Sequence, residues 1–189
     1  MSTGLFPRWW SERYGEAEPL GHRLRIAFSD RWFRIHSLPN SKRYPANAYE
    51  LEQLLERQDA VARAVLTSEC RLIVPRYELS KVGATGFFES TPGRRFECVH
   101  AMRQSDRGPD ELVDISFWST RCRWDANAER AALVAIAKDA FRALWMDAGS
   151  GEVFAPYDGG VDIIASNSAR RDGLKARFSD WHSPRADGL

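Results

Sequence analysis

Cysteine is scarce in this chain: three in 189 residues, odd in number and without a CxxC pair. That spacing signals neither a zinc site nor a disulfide scaffold. Cys70 and Cys98 sit in or beside apolar stretches and are expected to be buried small hydrophobes, which points to a reducing, cytoplasmic setting. A surplus of one charge is also missing. The 27 basic and 26 acidic residues leave a net +1, too little for the electrostatic footprint of a duplex nucleic-acid binder. Long hydrophobic runs are absent, since no stretch approaches the roughly 20 apolar residues that cross a bilayer. The opening MSTGLFPRWWSERYGE has no signal-peptide core, so no membrane partner is expected.

Motifs for bound groups are lacking as well. His22, His36, His100 and His182 never stand at i,i+2 or i,i+4, and HExxH does not occur, so no metal site is indicated. Neither GxxxxGK[ST] nor GxGxxG is present, and no cofactor is expected.

Aromatic residues, in contrast, are plentiful. They make up 12% of the chain, with seven Trp and ten Phe, enough large side chains for a substantial core. Phe6, Trp9, Trp10 and Tyr14 have the spacing of one short amphipathic helix. Residues 1–18 are therefore read as an aromatic segment docked on a single α+β domain of residues 19–189.

Hydrophobic periodicity supplies the rest of the order. RWFRIHS (31–37) alternates as a strand, with Phe33 and Ile35 on one face. LGHRLRIAF before it fits a strand or a helical turn equally well. Residues 47–66 place Leu51, Leu54, Leu55, Ala62, Val65 and Leu66 at helical spacing. RLIVPRYEL (71–79) reads as a strand that Pro75 confines to an edge or a bulge. The stretch 80–94 is rich in turn formers and holds the Phe87–Phe88 pair. Strands follow at 95–103 and 111–119, around the hairpin-like separator QSDRGPD. Residues 127–147 carry a wide apolar stripe of Leu133, Ile136, Ala137, Ala140, Phe141 and Leu144, predicting a second long helix capped by Asp125 or Asn127 and ended by Gly149 and Gly151. EVFAPY and GVDIIAS meet across Asp158–Gly159, a strong hairpin signal. A last helix, capped by Ser166 or Asn167, runs to about Trp181 with Ala169, Leu174, Phe178 and Trp181 inward. These elements define an α+β fold, a mainly antiparallel sheet with about three helices packed on one face.

Two constellations could carry chemistry. RIHSLPNSKRY (34–44) gathers Arg34, His36, Ser37, Ser41, Lys42 and Arg43 around a proline-bounded loop. Adjacent strand residues point to opposite faces, so His36 and Ser37 diverge and no catalytic pair is nominated. Ser41, Lys42 and Arg43 can instead present donors to a phosphate or carboxylate. YDGGVD (157–162) holds Tyr157, Asp158 and Asp162. The Asp158–Gly159 turn accounts for Asp158 through the backbone alone, and strand alternation sends Asp162 to a solvent face opposite Val161 and Ile163. The nominated anion or ligand set is Arg34, His36, Ser41, Lys42, Arg43, Tyr157, Asp158 and Asp162.

The blocks DRWFRIHSLPNSKRYP (30–45) and PYDGGVDIIASNSARRDGLKARFSDWHSPRADGL (156–189) cover about a quarter of the chain. They resemble a family of uncharacterised bacterial proteins of similar length, known as a domain of unknown function. Shared marks are RW-x-R-x-HSLP-x-SKRY, the PYDGG-x-D hairpin and an RD-x-L helix ending in DW. The resemblance carries over no catalytic residues; its implied company includes immunity-type proteins. Two functions are weighed. One is a small accessory or immunity-like module acting through a protein partner, supported by the aromatics Trp9, Trp10, Phe87, Phe88 and Trp118. The alternative is an anion- or phosphate-binding, hydrolase-like site between segments 34–44 and 157–162. The second needs those segments to lie side by side.

Overall fold

The computed structural model describes residues 6–67, 69–77, 91, 93–105 and 112–182. Phe87–Phe88, most of the turn-rich 80–94 stretch, residues 106–110 of the hairpin separator and the SPRADGL tail lie outside the described residues. Among the described residues, seven strands form one sheet: β1 (Trp32–His36), β2 (Glu69–Tyr77), β3 (Glu97–Ser105), β4 (Leu112–Arg123), β5 (Leu144–Asp147), β6 (Val153–Tyr157) and β7 (Gly160–Ile164). Their order is β1-β7-β6-β5-β2-β4-β3, and every neighbouring pair is antiparallel. The helices are α1 (Arg8–Tyr14), α2 (Gly21–Ala27), α3 (Ala48–Val65), α4 (Ala126–Ala137) and α5 (Ser168–Arg177).

The α+β class and antiparallel sheet agree with the sequence pattern, but the helix count does not. Helices α3, α4 and α5 bury Leu54, Leu133 and Leu174 against one sheet face, where Phe33, Leu72, Trp145, Phe154 and Ile163 form the larger core. Helices α1 and α2 put Trp10, Tyr14 and Leu24 on the opposite face, against Ile73, Phe117, Met146 and Val153. LGHRLRIAF is thus resolved as helix. Both faces are covered because the sheet's central strands are apolar on both sides, and an uncovered face would leave Ile73 and Met146 in water.

The second long helix is shorter than predicted. Asp125 caps α4, accepting from the Asn127 and Ala128 amides at 2.9 Å, but the helix stops at Ala137 and Asp139 adopts φ 59°. Residues 144–147 are β5, wholly buried, paired with Cys70–Ile73 on one side and Val153–Phe154 on the other. A central strand buried on both faces is a continuous apolar run, which periodicity cannot separate from a helix segment. Gly151, at φ 76°, serves the β5–β6 turn rather than a helix end.

Two helices are capped by asparagines, of which Asn167 is one of the two predicted candidates and Asn47 was not predicted. Asn47 accepts from the Glu50 amide at 3.0 Å and Asn167 from the Arg170 amide at 2.9 Å. Pro75 lies within a central strand, yet β5 pairs only Cys70–Ile73 of β2. At Pro75 that side has no described strand partner, so β2 is locally an edge there and the missing N–H costs nothing. Ala169 is exposed rather than inward. Cys98 is exposed too; Cys70 alone of the two is buried.

The β1–β7 pairing joins the early and late motif blocks, and Gly160 is the tightest point in it. A Cβ there would stand 2.1 Å from the Ile35 carbonyl oxygen, so the strands can close only over glycine. Gly173, within α5, has no atom within 4 Å of the corresponding position. Gly160→Ala is expected to destabilise the fold by about 3 kcal/mol, as backbone overpacking does. Gly173→Ala is expected to stabilise it by about 0.5–1 kcal/mol through helix propensity. Urea unfolding of the two variants beside the parent checks both signs.

Candidate functional site

In the β1–β7 register Arg34 faces Asp162 and His36 faces Gly160. Arg34 donates Nε to Asp162 Oδ1 at 2.9 Å and Nη2 to Oδ2 at 3.2 Å. The Trp32 indole donates to Oδ1 at 3.0 Å. Asp162 is not on a solvent face. Strand alternation does turn it away from Val161 and Ile163, but α2 covers that side: a Cβ on Gly21 would lie 3.2 Å from Ala155 Cβ and 3.7 Å from Asp162 Oδ2. Burial pulls the Arg34 pKa down, and the bond and charge of Asp162 more than reverse this, for a net rise. The Arg34 guanidinium also lies 4.7 Å from the Tyr157 ring centre, a cation–π contact. Burial holds the Tyr157 phenol up at about 12, with Arg34 opposing, so it remains a donor at neutral pH.

Beside this pair lies a cleft of about 450 Å³. Arg34, His36, Ser41, Arg43, Tyr157, Asp158 and Asp162 all line it, so the nominated residues converge, with one exception. Lys42 turns away and donates Nζ to both Glu50 carboxylate oxygens at 2.6 Å. Leu20, Pro75, Leu144, Ala155 and Pro156 give the cleft an apolar lining, and His22, Tyr77 and Arg142 join its polar groups. None of these last three stood out in the sequence. Arg142 in particular falls in the segment whose periodicity extends the helix to 147, where it counts as one more solvated helix cation.

Asp158 does more than make a turn. It is 1% exposed, accepts from Arg43 Nε through Oδ2, and has Arg142 Nη1 3.8 Å from Oδ1. The Tyr44 hydroxyl is drawn to the same carboxylate, which raises its pKa. Oδ1 itself accepts no hydrogen bond among the described residues. Arg142 is held on its other side by Asp139, 2.7 Å away.

The loop that carries Ser41 is strained. Asn40 and Ser41 both have left-handed backbones, φ 56° and 55°, a conformation that non-glycine residues adopt at a cost and that clusters at ligand sites. Ser37 is buried and its hydroxyl accepts from Gln58 Nε2 at 3.2 Å, separate from His36 as the alternation predicts. His36 makes a backbone hydrogen bond with Gly159, while its Nε2 is buried without a partner among the described residues. Ser41 is therefore not hydrogen-bonded to that nitrogen, and no serine–histidine relay is formed. Burial first, then Arg34 and Arg57, lower the His36 pKa from its ordinary 6.5. The ring also borders a second cavity of about 330 Å³ with Arg57, Asp180, Trp181 and His182. Among the described residues, no group of three or more His, Cys, Asp or Glu side chains is placed to hold a metal ion.

The described residues form an α+β fold with a mixed-charge, partly apolar cleft beside the β1–β7 pair, lined also from β2, β5 and β6. A family model described as "Domain of unknown function (DUF3885)" matches residues 20–186, and the chain belongs to that family. Neither a comparison with curated proteins nor one with solved structures gave a match. No helix among the described residues is long and apolar enough to cross a membrane.

The side chains of Arg34 and Asp162 are only 13% and 7% exposed. Removing one charge of such a pair strands the other in a poorly solvated place. Asp162→Asn is expected to cost about 2–4 kcal/mol, measured by urea unfolding. Glu12→Gln, which breaks the exposed Arg8–Glu12 pair on α1, is expected to leave the midpoint unchanged.

Proposed function

We propose that the chain is a small-ligand-binding protein whose cleft takes an organic anion that also carries an N–H donor. The observation that carries this is the convergence of segments 34–43 and 157–162 on one concave, partly apolar cavity. Arg43 engages Asp158 through Nε and keeps its terminal nitrogens for another acceptor. Arg142 is 42% exposed at the same rim. Two guanidinium forks beside an apolar wall suit a carboxylate or phosphate on a small organic body. Asp158 Oδ1 is a buried carboxylate oxygen with no hydrogen-bond donor among the described residues, and an amine or amide N–H of the ligand would satisfy it.

Among the described residues, the aromatics that favoured a protein-docking module, Trp9, Trp10 and Trp118, are engaged within the fold; Phe87 and Phe88 lie outside the described residues. Trp10 is 1% exposed in the core, Trp9 stacks under Arg71 with 4.3 Å to the ring centre, and Trp118 donates to Ser116 Oγ at 3.0 Å. Among the described residues, the exposed large apolar side chains, Ile26, Tyr44 and Tyr49, sit on three separate segments. We therefore place the function at the cleft, and leave hydrolysis out because no activated nucleophile accompanies it among the described residues.

The test is an amide NMR titration with acetate, inorganic phosphate, benzoate and 4-aminobenzoate. Shifts are expected at Gly159, Gly160 and the Trp32 indole, strongest for the probe that combines anion, ring and donor. Arg142→Gln is expected to weaken binding by about ten-fold, the worth of one charge-assisted hydrogen bond. Absence of shifts at those positions for every probe would overturn the proposal.

The pH dependence has a definite sign. His36 faces Arg34, Arg57 and His182; His22 faces Arg23, Arg25, Glu18 and Asp162; burial is the largest cause of the lowered pKa in each. Both rings are neutral at pH 7, and a bound anion favours their protonated forms. Affinity for benzoate, whose charge stays the same over this range, is expected to rise as pH falls from about 7.5 to about 5.5, and His36→Gln is expected to flatten that rise. Calorimetry across that range gives the slope.

A further inference from the structure

We propose that Cys70 and Cys122 form a reversible disulfide across strands β2 and β4, made by exchange with a low-molecular-weight disulfide such as oxidised glutathione. The two residues are direct partners in the β2–β4 register, with their sulfurs 3.3 Å apart. Opposed residues of an antiparallel pair have Cβ atoms about 4.5–5.5 Å apart, and a disulfide needs about 3.5–4.5 Å. With the sulfurs already this close, closing the bond asks the two strands to draw slightly together at this pair and for no change of register. This inference is independent of the cleft.

The surroundings distinguish the two thiols. Cys70 is 1% exposed within the larger core, and its Sγ also lies 3.4 Å from the Cys122 carbonyl oxygen. Cys122 is half-buried at the margin of that core. The hydrogen bond from Cys70 lowers the Cys122 pKa, with Arg94 helping and the burial of the site and Glu129 opposing; Cys70 moves the other way. Access and acidity both make Cys122 the entering nucleophile.

The exchange runs in two balanced steps. The Cys122 thiolate attacks one sulfur of the small disulfide, forming a mixed disulfide and expelling one small thiolate. Cys70 then loses its proton to solvent and attacks Cys122 Sγ, forming the Cys70–Cys122 bond and expelling the second small thiolate. The protein dithiol is oxidised by two electrons and the small disulfide is reduced to two thiols. Cys98 lies outside this geometry: it is exposed on β3, opposite Trp118.

The full chain, incubated with oxidised glutathione, alkylated and then denatured, is analysed by thiol count and peptide mass. Peptide mapping is expected to show Cys70 and Cys122 lost as free thiols and recovered as a cross-linked peptide, separately from any glutathione carried by the exposed Cys98, with all three thiols restored on adding dithiothreitol. Cys98→Ser is expected to lose both remaining thiols as a monomer. Cys122→Ser is expected to form no intramolecular bond. A parent chain that keeps three thiols, or that ends as a stable glutathione adduct on Cys122, would overturn the proposal. Because Cys98→Ser touches an exposed site, a folding defect at the buried pair does not enter that arm.

Discussion

The bidentate pair of Arg34 and Asp162 fixes how the two ends of the sheet sequence meet. β1 comes before every other strand and β7 after every other, yet they are neighbours at one edge of the sheet. Strand pairing over so long a separation carries a loop-closure cost and no local instruction for register. A slip of one residue would exchange the faces of β7 and set Arg34 against Val161 or Ile163, leaving a half-buried guanidinium without its acceptor. The pair's desolvation is offset by two charge-assisted bonds and the Trp32 indole on the same carboxylate. Its main effect is thus specificity. Gly160 enforces the same register sterically, because only there can the Ile35 carbonyl approach so closely.

Once that register is set, the cleft follows from it. Arg34 and His36 belong to β1, and Tyr157 and Asp158 to the adjacent β6–β7 hairpin, so one ladder delivers four polar side chains to one place. Loop 37–44 then folds back over the hairpin, tied by Arg43 to Asp158. Lys42, its neighbour, leaves the cleft because Glu50 at the start of α3 offers a nearer carboxylate. The loop pays for its reach with two left-handed residues in succession, Asn40 and Ser41. Such strain persists where surrounding contacts hold it, and here the Arg43 ion pair and the Lys42 bond clamp one end.

Local rules of the chain foretold the elements with a short-range signature. β1, α3, the β6–β7 hairpin and the Asn167 cap all show a clean period or a turn signal, and they form where the pattern puts them. Two elements had no such signature: β5 is a short, wholly buried run that is apolar at nearly every position, and α2 is short with ambiguous spacing and buries only Leu24. The site was half visible for a related reason. Its two motif blocks were conspicuous by composition, but their adjacency is a property of the β1–β7 pairing, which no local pattern encodes. Asp162 illustrates the gap. Alternation correctly turned it from the core of α3, α4 and α5, and could not know that α2 covers the other face. Arg142 and His22 reach the cleft from a strand approach and a helix start, positions with no motif of their own.

His36 is the point where these constraints meet. Its backbone carbonyl accepts from Arg57 of α3 at 3.2 Å, its ring bonds to Gly159, and its Nε2 has no partner among the described residues, with a cavity on either side of the ring. On one side stand Arg34 and the cleft, on the other Arg57, Asp180 and His182. A neutral imidazole in that wall keeps repulsion among Arg34, Arg57 and its own ring low, which is why burial and the two arginines act in the same direction on its pKa. An anion entering from the cleft side reverses the sign of the local potential and makes the protonated ring the favourable one. The same wall would then present an N–H to the ligand instead of an unpaired lone pair, so proton uptake and the satisfaction of a buried polar atom are one event.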